Sequence, residues 1–242
     1  MSKILFLVPT IMNRKELEIK AVETMANQFP ESKVLFISNI EDEDFDSYEP
    51  KKENIEKYVS GLRYSISKAL NTGLEHLTDE DYICFLQSDM FVDKNVVEVC
   101  KDIIDDEELN TGVVGIRPHS TFRAYHKLVT KKDSFDVYRV LWSDGLMMWS
   151  KKLYEDIGKF DEDYFGDRES QEYCYRAHEA GYSNYYLDVK LSTNKFATHH
   201  GQSFSQKTKY DVTEFTRIVA RTTARFMDRW RDWEPKQKKF FN

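Results

Sequence analysis

The sequence predicts an α/β protein with a mostly parallel central sheet, helices on both of its faces, and an amphipathic helix at the C-terminus. Three observations predict it. Short apolar runs recur at Ile4 to Val8, Val34 to Ser38, Tyr82 to Leu86, Val113 to Ile116 and Leu146 to Trp149. Stretches with apolar residues at helical spacing stand between them. The 242 residues, 40% hydrophobic and 32% charged, suffice for one large core and exclude a disordered chain.

The elements follow in order. Ile4 to Val8 is stopped by Pro9 and reads as a buried strand. Leu17, Ala21, Met25 and Phe29 predict a helix over 14–28. After the strand at Val34 to Ser38 come five acids in six residues, Glu41 to Asp46, expected as a solvated loop. Ile55, Val59, Leu62, Ile66, Leu70, Leu74 and Leu77 step by four or three and predict one long helix. The strand at Tyr82 to Leu86 precedes a helix from Asn95 to Asp105 and the strand at Val113 to Ile116. Residues 117–142 read as irregular, the pattern of a functional loop. Then follow the strand at Leu146 to Trp149, a short helix from Lys151 to Ile157 and a helix from Arg168 to Ala180 closed by Gly181. Strands at Tyr185 to Val189 and Lys195 to Thr198 lead to a last helix over 212–233.

No apolar run approaches the ~20 residues needed to span a bilayer, so no transmembrane segment is expected. Cys84, Cys100 and Cys174 are odd in number and widely spaced, which speaks against a disulfide framework and for a reducing, cytoplasmic setting. The net charge is −7, but from residue 206 onward ten basic residues face five acidic ones. That leaves +5 on the tail and −12 on the rest, an asymmetry that suggests an anionic partner for the tail.

Three segments could carry chemistry. Gln87-Ser88-Asp89 directly follows a buried strand, where open α/β sheets bind ligands. A carboxylate there can hold a hard divalent cation, or it can simply cap the next helix. Glu169, Glu172 and Arg176 stand at i, i+3 and i+7, on one helix face; they form either a catalytic turn or a surface ion-pair stripe. His199-His200-Gly201 follows a strand and suits either a metal ligand or an ordinary loop.

Taken together these segments resemble the GT-A glycosyltransferases of family 2, over residues 3 to about 205. Lys3 to Thr10 with Asn13-Arg14 is similar to the family's opening strand and turn, and Ser67 to Leu74 to the segment before its metal motif. Phe85 to Asp89 stands where the family has Asp-x-Asp. Asp144 to Met148 resembles the donor-sugar strand, Ile157 to Glu162 the Gly-x-Phe-Asp-Glu signature, and Glu169 to Tyr182 the stretch with the catalytic base. His199-His200-Gly201 resembles the closing His of the metal site. Gln87 replaces the first Asp of Asp-x-Asp, Ser170 the second acid of the base pair, and Ser38-Asn39 the acidic nucleotide-binding pair.

The resemblance implies a Rossmann-like GT-A domain over 1–205, with a nucleotide-binding half (1–110) and an acceptor-binding half (111–205), and a basic helix and tail over 206–242. It implies transfer, with inversion, from a nucleotide sugar, a UDP-sugar first among them, to an acceptor hydroxyl. Mn²⁺ or Mg²⁺ would sit on Asp89 and His199 or His200. Glu169, Glu172 or Asp167 would be the general base, with Glu169 preferred. Pro9, Thr10, Asn39, Lys68, Ser88, Asp144, Gly145 and Arg176 would contact the donor, and Arg123 is a further phosphate candidate.

The acceptor stays open at this point. Phe215, Val219, Thr222, Phe226, Trp230 and Trp233 form one face of the last helix, and Arg217, Arg221, Arg225 and Arg229 the opposite one. This helix docks on the domain with its arginines in solvent, or its stripe contacts DNA or an anionic membrane. A glycan or small-molecule acceptor is expected first and the hydroxylated bases of viral DNA second; a binding protein that has lost catalysis is the alternative that Gln87 and Ser170 favour.

Overall fold

The apolar run at the N-terminus becomes strand β1 (Ile4–Thr10), buried along its whole length in the computed structural model. The structure describes residues 2–12, 14–118, 126–164, 168–189, 197–199 and 212–237. After β1 come α1 (Lys15–Gln28), β2 (Lys33–Ser38), α2 (Glu43–Asp46), β3 (Ile55–Val59), α3 (Ile66–Leu74), β4 (Tyr82–Leu86) and β5 (Met90–Val92). The chain continues through α4 (Lys94–Ile104), β6 (Thr111–Pro118), β7 (Lys127–Lys132), β8 (Phe135–Val140), β9 (Ser143–Ser150) and α5 (Lys151–Ile157). It ends with α6 (Glu169–Glu179), β10 (Ser183–Leu187), β11 (Ala197–His199), α7 (Val212–Trp230) and α8 (Glu234–Gln237).

Nine strands form one sheet in the order β3-β2-β1-β4-β9-β6-β10-β8-β7, and β11 pairs with β5 in a separate ribbon. The first four strands are parallel. From β4 onward the sheet is mixed: β9 runs antiparallel to both β4 and β6, β10 is parallel to β6, and β8 and β7 add antiparallel edges. Alternation along β1 explains the two layers. Ile4, Phe6 and Val8 pack with Val22, Met25 and Phe29 of α1 and Val96, Val97 and Cys100 of α4. Leu5 and Leu7 face Leu70 and Leu74 of α3, and the same layer holds Leu153 of α5 and Tyr173 and Ala177 of α6. Successive residues of one strand thus enter opposite cores, as a sheet covered on both faces requires.

Four expectations are corrected. The single helix expected over Ile55 to Leu77 is a strand, a loop and a shorter helix. Ile55 to Val59 pair in parallel with Val34 to Ser38, and positive φ at Gly61 (74°) and Tyr64 (66°) bars a continuous helix. Ile55 and Val59 stand four apart, but the sheet edge claims this β-branched segment first. Within the acidic run, Glu43 to Asp46 form a helical turn; Asp42 caps it by accepting the Asp44 and Phe45 amide hydrogens, and Phe45 is buried. Within 117–142, residues 127–140 form a hairpin, with Phe135 and Val137 buried at alternating positions. The last helix breaks at Trp230, before α8. All three cysteines are buried thiols. Among the described residues no helix is long and apolar enough to cross a membrane.

Candidate active site

The parallel strands β2, β1 and β4 end at one rim of the sheet; β6 ends there too, and β9 starts there, because β9 runs antiparallel to its two neighbours. This aligns Thr10, Asn39, Gln87 to Asp89 and Asp144 along one edge. The turn after β1 is pinned from below. The Asn39 amide donates to the Thr10 carbonyl at 3.0 Å, and the Met12 amide to Thr10 Oγ1 at 2.9 Å. Thr10 Oγ1 in turn donates to the fully buried Glu18, whose other oxygen accepts the Arg14 amide at 3.0 Å. Pro9 and Thr10 stand in register with Ile37 and Ser38, so the expected nucleotide-side residues of β1 and β2 are adjacent.

Beyond β4 the Met90 amide donates to the Gln87 carbonyl at 3.0 Å, closing a turn that carries half-buried Ser88 and buried Asp89. Strand β5 begins at the next residue, and His199 of β11 is in register with Met90. Asp89 and His199 therefore occupy neighbouring backbone positions on two paired strands. A carboxylate and an imidazole are ligand types that a divalent cation such as Mn²⁺ accepts, and the backbone register places the two residues close in the fold. Among the described residues no group of three His, Cys, Asp or Glu side chains converges. His200, Arg123 and Asp167 lie outside the described residues, as does the side chain of His199.

Asp144 and Gly145 form an irregularity at the start of β9. Gly145 has φ 86°, and the β6 register slips opposite it, between Gly115 and Arg117. Leu146 pairs with Leu86, which sets Asp144 beside the end of β4. Asp144 Oδ1 accepts a hydrogen bond from Ser170 Oγ at 3.4 Å. The residue that replaces the family's second acid thus joins the start of α6 to the expected donor strand.

The first turn of α6 is not a surface stripe. Glu172 is 1% exposed and Glu169 9%. Glu172 is held by Arg176, whose Nε lies 2.9 and 3.0 Å from its two oxygens, and by Arg229 Nη1 at 3.0 Å. Burial pushes its carboxyl above the ordinary value, and the two guanidiniums offset part of that rise. Arg176 also donates from Nη1 to the carbonyl of Ile157 (2.6 Å) and from Nη2 to that of Lys159 (2.8 Å). The structure thus commits Arg176 to Glu172 and the α5–α6 connection. Lys68 lies 3.6 Å from Glu162, and its helix holds the same connection: Asn71 exchanges two hydrogen bonds with the Phe160 backbone, and Ser67 Oγ donates to the Tyr164 carbonyl at 3.0 Å.

Backbone strain marks the same edge. Bulky residues with positive φ are Met12 (52°), after β1, Tyr64 (66°), after β3, and Arg168 (71°), immediately before Glu169. Such conformations persist only where the surroundings over-determine them, and they cluster at functional sites.

The sequence profile described as "Glycosyl transferase family 2" matches residues 8–160, more than half of the chain. The chain belongs to this family. No curated protein matches the sequence. Among solved structures it is similar to GalNAc-T7 with UDP, GalNAc and Mn²⁺, at TM-score 0.66 and 12% identity over 91% of this chain and 48% of that one. It is similar to a Drosophila β1,4-galactosyltransferase 7 mutant in complex with manganese, UDP-Gal and xylobiose, at 0.53 and 15% over 90% and 80%. The S. aureus TarS 1–349 complex with UDP-GlcNAc matches at 0.57 and 16% over 95% and 73%. The chain spans about half the length of the GalNAc-T7 chain. At these identities the likeness establishes the GT-A fold.

In this chain the helix α6 and the tail lie beyond the matched segment, and here sequence reasoning missed most. The expected arginine stripe of α7 does not all face solvent. Arg225 pairs with Asp161 (3.1 Å) and Asp163 (2.9 Å), and Arg229 with Glu172. Arg217 and Arg221 stay exposed. Phe226 and Trp230 are buried against Leu141, Tyr164 and Tyr175 in a small cluster of their own, and Phe215 meets Tyr64 edge-on at 5.7 Å. The spacing told which face of α7 is apolar; no local signal told that Asp161, Asp163 and Glu172 await two of its arginines.

Proposed function

We propose that this glycosyltransferase moves a sugar from a nucleoside-diphosphate sugar, a UDP-sugar first, to the hydroxyl of a glycan or small-molecule acceptor, with inversion at the anomeric carbon. The observation that carries the reading is the Ser170–Asp144 hydrogen bond. It ties the first turn of α6, with the buried carboxylate of Glu169, to the strand start that lies beside Asp89. A base and a donor-sugar contact are thereby held at one edge, as in-line displacement needs.

In this reading Pro9, Thr10 and Asn39 receive the nucleotide, and Asp144 and Gly145 the sugar. Lys68 and Ser88 serve the phosphates. Glu169 takes the proton of the acceptor hydroxyl while the acceptor oxygen bonds to the anomeric carbon. The bond from that carbon to the diphosphate oxygen breaks, and the nucleoside diphosphate leaves with the electron pair. Asp89, with His199 or His200, would hold Mn²⁺ or Mg²⁺, which when bound offsets the charge of the leaving diphosphate. Arg176 is assigned to support of α6 instead of the donor. Neutralisation of Arg225 and Arg229 by acids of the domain favours a glycan or small-molecule acceptor over a polyanion or membrane surface.

Calorimetry with UDP, with and without Mn²⁺, tests the metal half. Asp89→Asn should abolish the Mn²⁺-dependent part of the affinity at an unchanged melting temperature; unchanged affinity sinks the assignment. Release of UDP from a panel of nucleotide sugars tests the donor half, and release from none of them overturns it.

A further inference from the structure

We propose that Arg229 is a positioning residue: through Glu172 it holds the first turn of α6, and with it Glu169, where the carboxylate acts on the acceptor. The proposal rests on Glu169 being the base.

Helix α7 grips the chain on both sides of Glu169. Ahead of it, Arg225 pairs with Asp161 and Asp163, and Tyr164 is buried against Phe226. Behind it, Arg229 reaches Glu172, one turn along the same helix face as Glu169. Tyr175, further along α6, packs on Phe226 and Trp230 with ring centres 5.5 and 5.2 Å apart. Arg168, the strained residue directly before Glu169, lies over the Phe226 ring at 5.5 Å and donates from Nη1 to Gln171 Oε1 at 2.8 Å. So α7 supplies one of the contacts that hold this left-handed backbone in place.

Charge makes the coupling directional. Glu172 is buried and cannot turn to water, so it stays where two guanidiniums meet it. Arg176 fixes it to the connection after α5, and Arg229 fixes it to α7. Remove Arg229 and only the anchor on one side remains. The apolar cluster of Phe226 and Trp230 keeps α7 docked, but its contacts are non-directional and tolerate a small shift of α6. A misplacement of about 1 Å at a reacting group is enough to cost up to about 10²-fold in rate.

The test compares the wild type with Arg229→Gln, Arg229→Lys and, as a control on an exposed residue past the helix end, Arg231→Gln. Arg229→Gln should lower kcat for UDP release by about tenfold to 10²-fold, with the donor KM and the UDP affinity unchanged. Arg229→Lys should recover part of the loss, because an ammonium still reaches the carboxylate as a point charge. Arg231→Gln should match the wild type. Wild-type kcat in Arg229→Gln overturns the proposal. So does a loss in which kcat, donor affinity and melting temperature fall together, for that is a merely structural role. If the wild type releases UDP from no nucleotide sugar, the functional reading has failed, and positioning is then read from amide exchange. Arg229→Gln must speed exchange at residues 168–172 while the α7 amides stay protected; unchanged exchange there overturns it.

Discussion

The two halves of the rim are held by different forces. On the proposed nucleotide side, β1, β2 and β4 are buried runs whose alternate side chains enter two large apolar cores, and Glu18 is the buried acid that braces the turn after β1. On the side of the proposed base, Glu169 and Glu172 are themselves buried, and an ion-pair network with a small aromatic cluster holds the segment that carries them. Apolar burial scales with area and has little direction, whereas a buried carboxylate is fixed by the partners it must keep. The nucleotide side is thus built for stability and the base side for position. Substitutions in the first region should show as unfolding, and in the second as lost turnover at intact fold.

The largest expected effect lies on the base side. Glu169→Gln keeps the shape and removes the proposed proton acceptor. It should lower turnover by about 10²–10⁴ while calorimetry shows unchanged UDP affinity. Equal rates in the variant and the wild type would remove Glu169 from the mechanism and erase the contrast between the two sides.

The matching test on the other side uses a residue far from the rim. Phe29 follows α1, at the opposite end of the strands, 1% exposed, with its ring centre 5.0 Å from that of Phe6. Phe29→Ala leaves a cavity and should cost about 3–5 kcal/mol in urea unfolding, with kcat unchanged below the transition. A fall in kcat in the folded variant would mean that the two regions are not separable in this way.

That division also explains what was legible in the sequence. Apolar runs announce β1, β2, β4, β6 and β9, because a strand buried on both faces needs no outside partner to be recognised. The segments that line the rim were legible for the same reason: Asp89 and Asp144 stand next to such strands. Strand β3 was not, because Ile55 and Val59 satisfy helical spacing by coincidence and only pairing with β2 decides between the two. The β7–β8 hairpin lies in a polar stretch where Phe135 and Val137 alternate too briefly to outweigh their neighbours. Arg229 and Glu172 are 57 residues apart, and a helix period reports a face without reporting what faces it. Ser170 reads in sequence as a departure from the family pattern; in the fold it bonds to Asp144.

The smallest effect concerns the far end of the same helix. His178 of α6 sits beside α8, with Nε2 3.2 Å from Gln237 Oε1 and its ring edge-on to Trp233 at 5.5 Å. Burial lowers its pKa below the ordinary 6.5, and Arg139 adds to the fall; Gln237, the Tyr182 backbone and Glu179 pull the other way. The unfolded chain therefore binds this proton more readily than the folded one. Stability from this site rises with pH across the window between the two values. It is complete above about 6.5, the ordinary value, and is lost as pH falls through the lowered one. Glu172 has the opposite sign, since its raised pKa makes the folded state the better proton binder on the acid side. A single substitution distinguishes the two responses. In the wild type, acidification from pH 7 should loosen α8 and change Trp233 fluorescence, whereas His178→Gln, which cannot titrate, should flatten the change and leave the Glu172 response in place. An unaltered fluorescence profile in His178→Gln would show that this end of α6 is held by packing alone, and would confine charge-fixed geometry to the turn that carries Glu169 and Glu172.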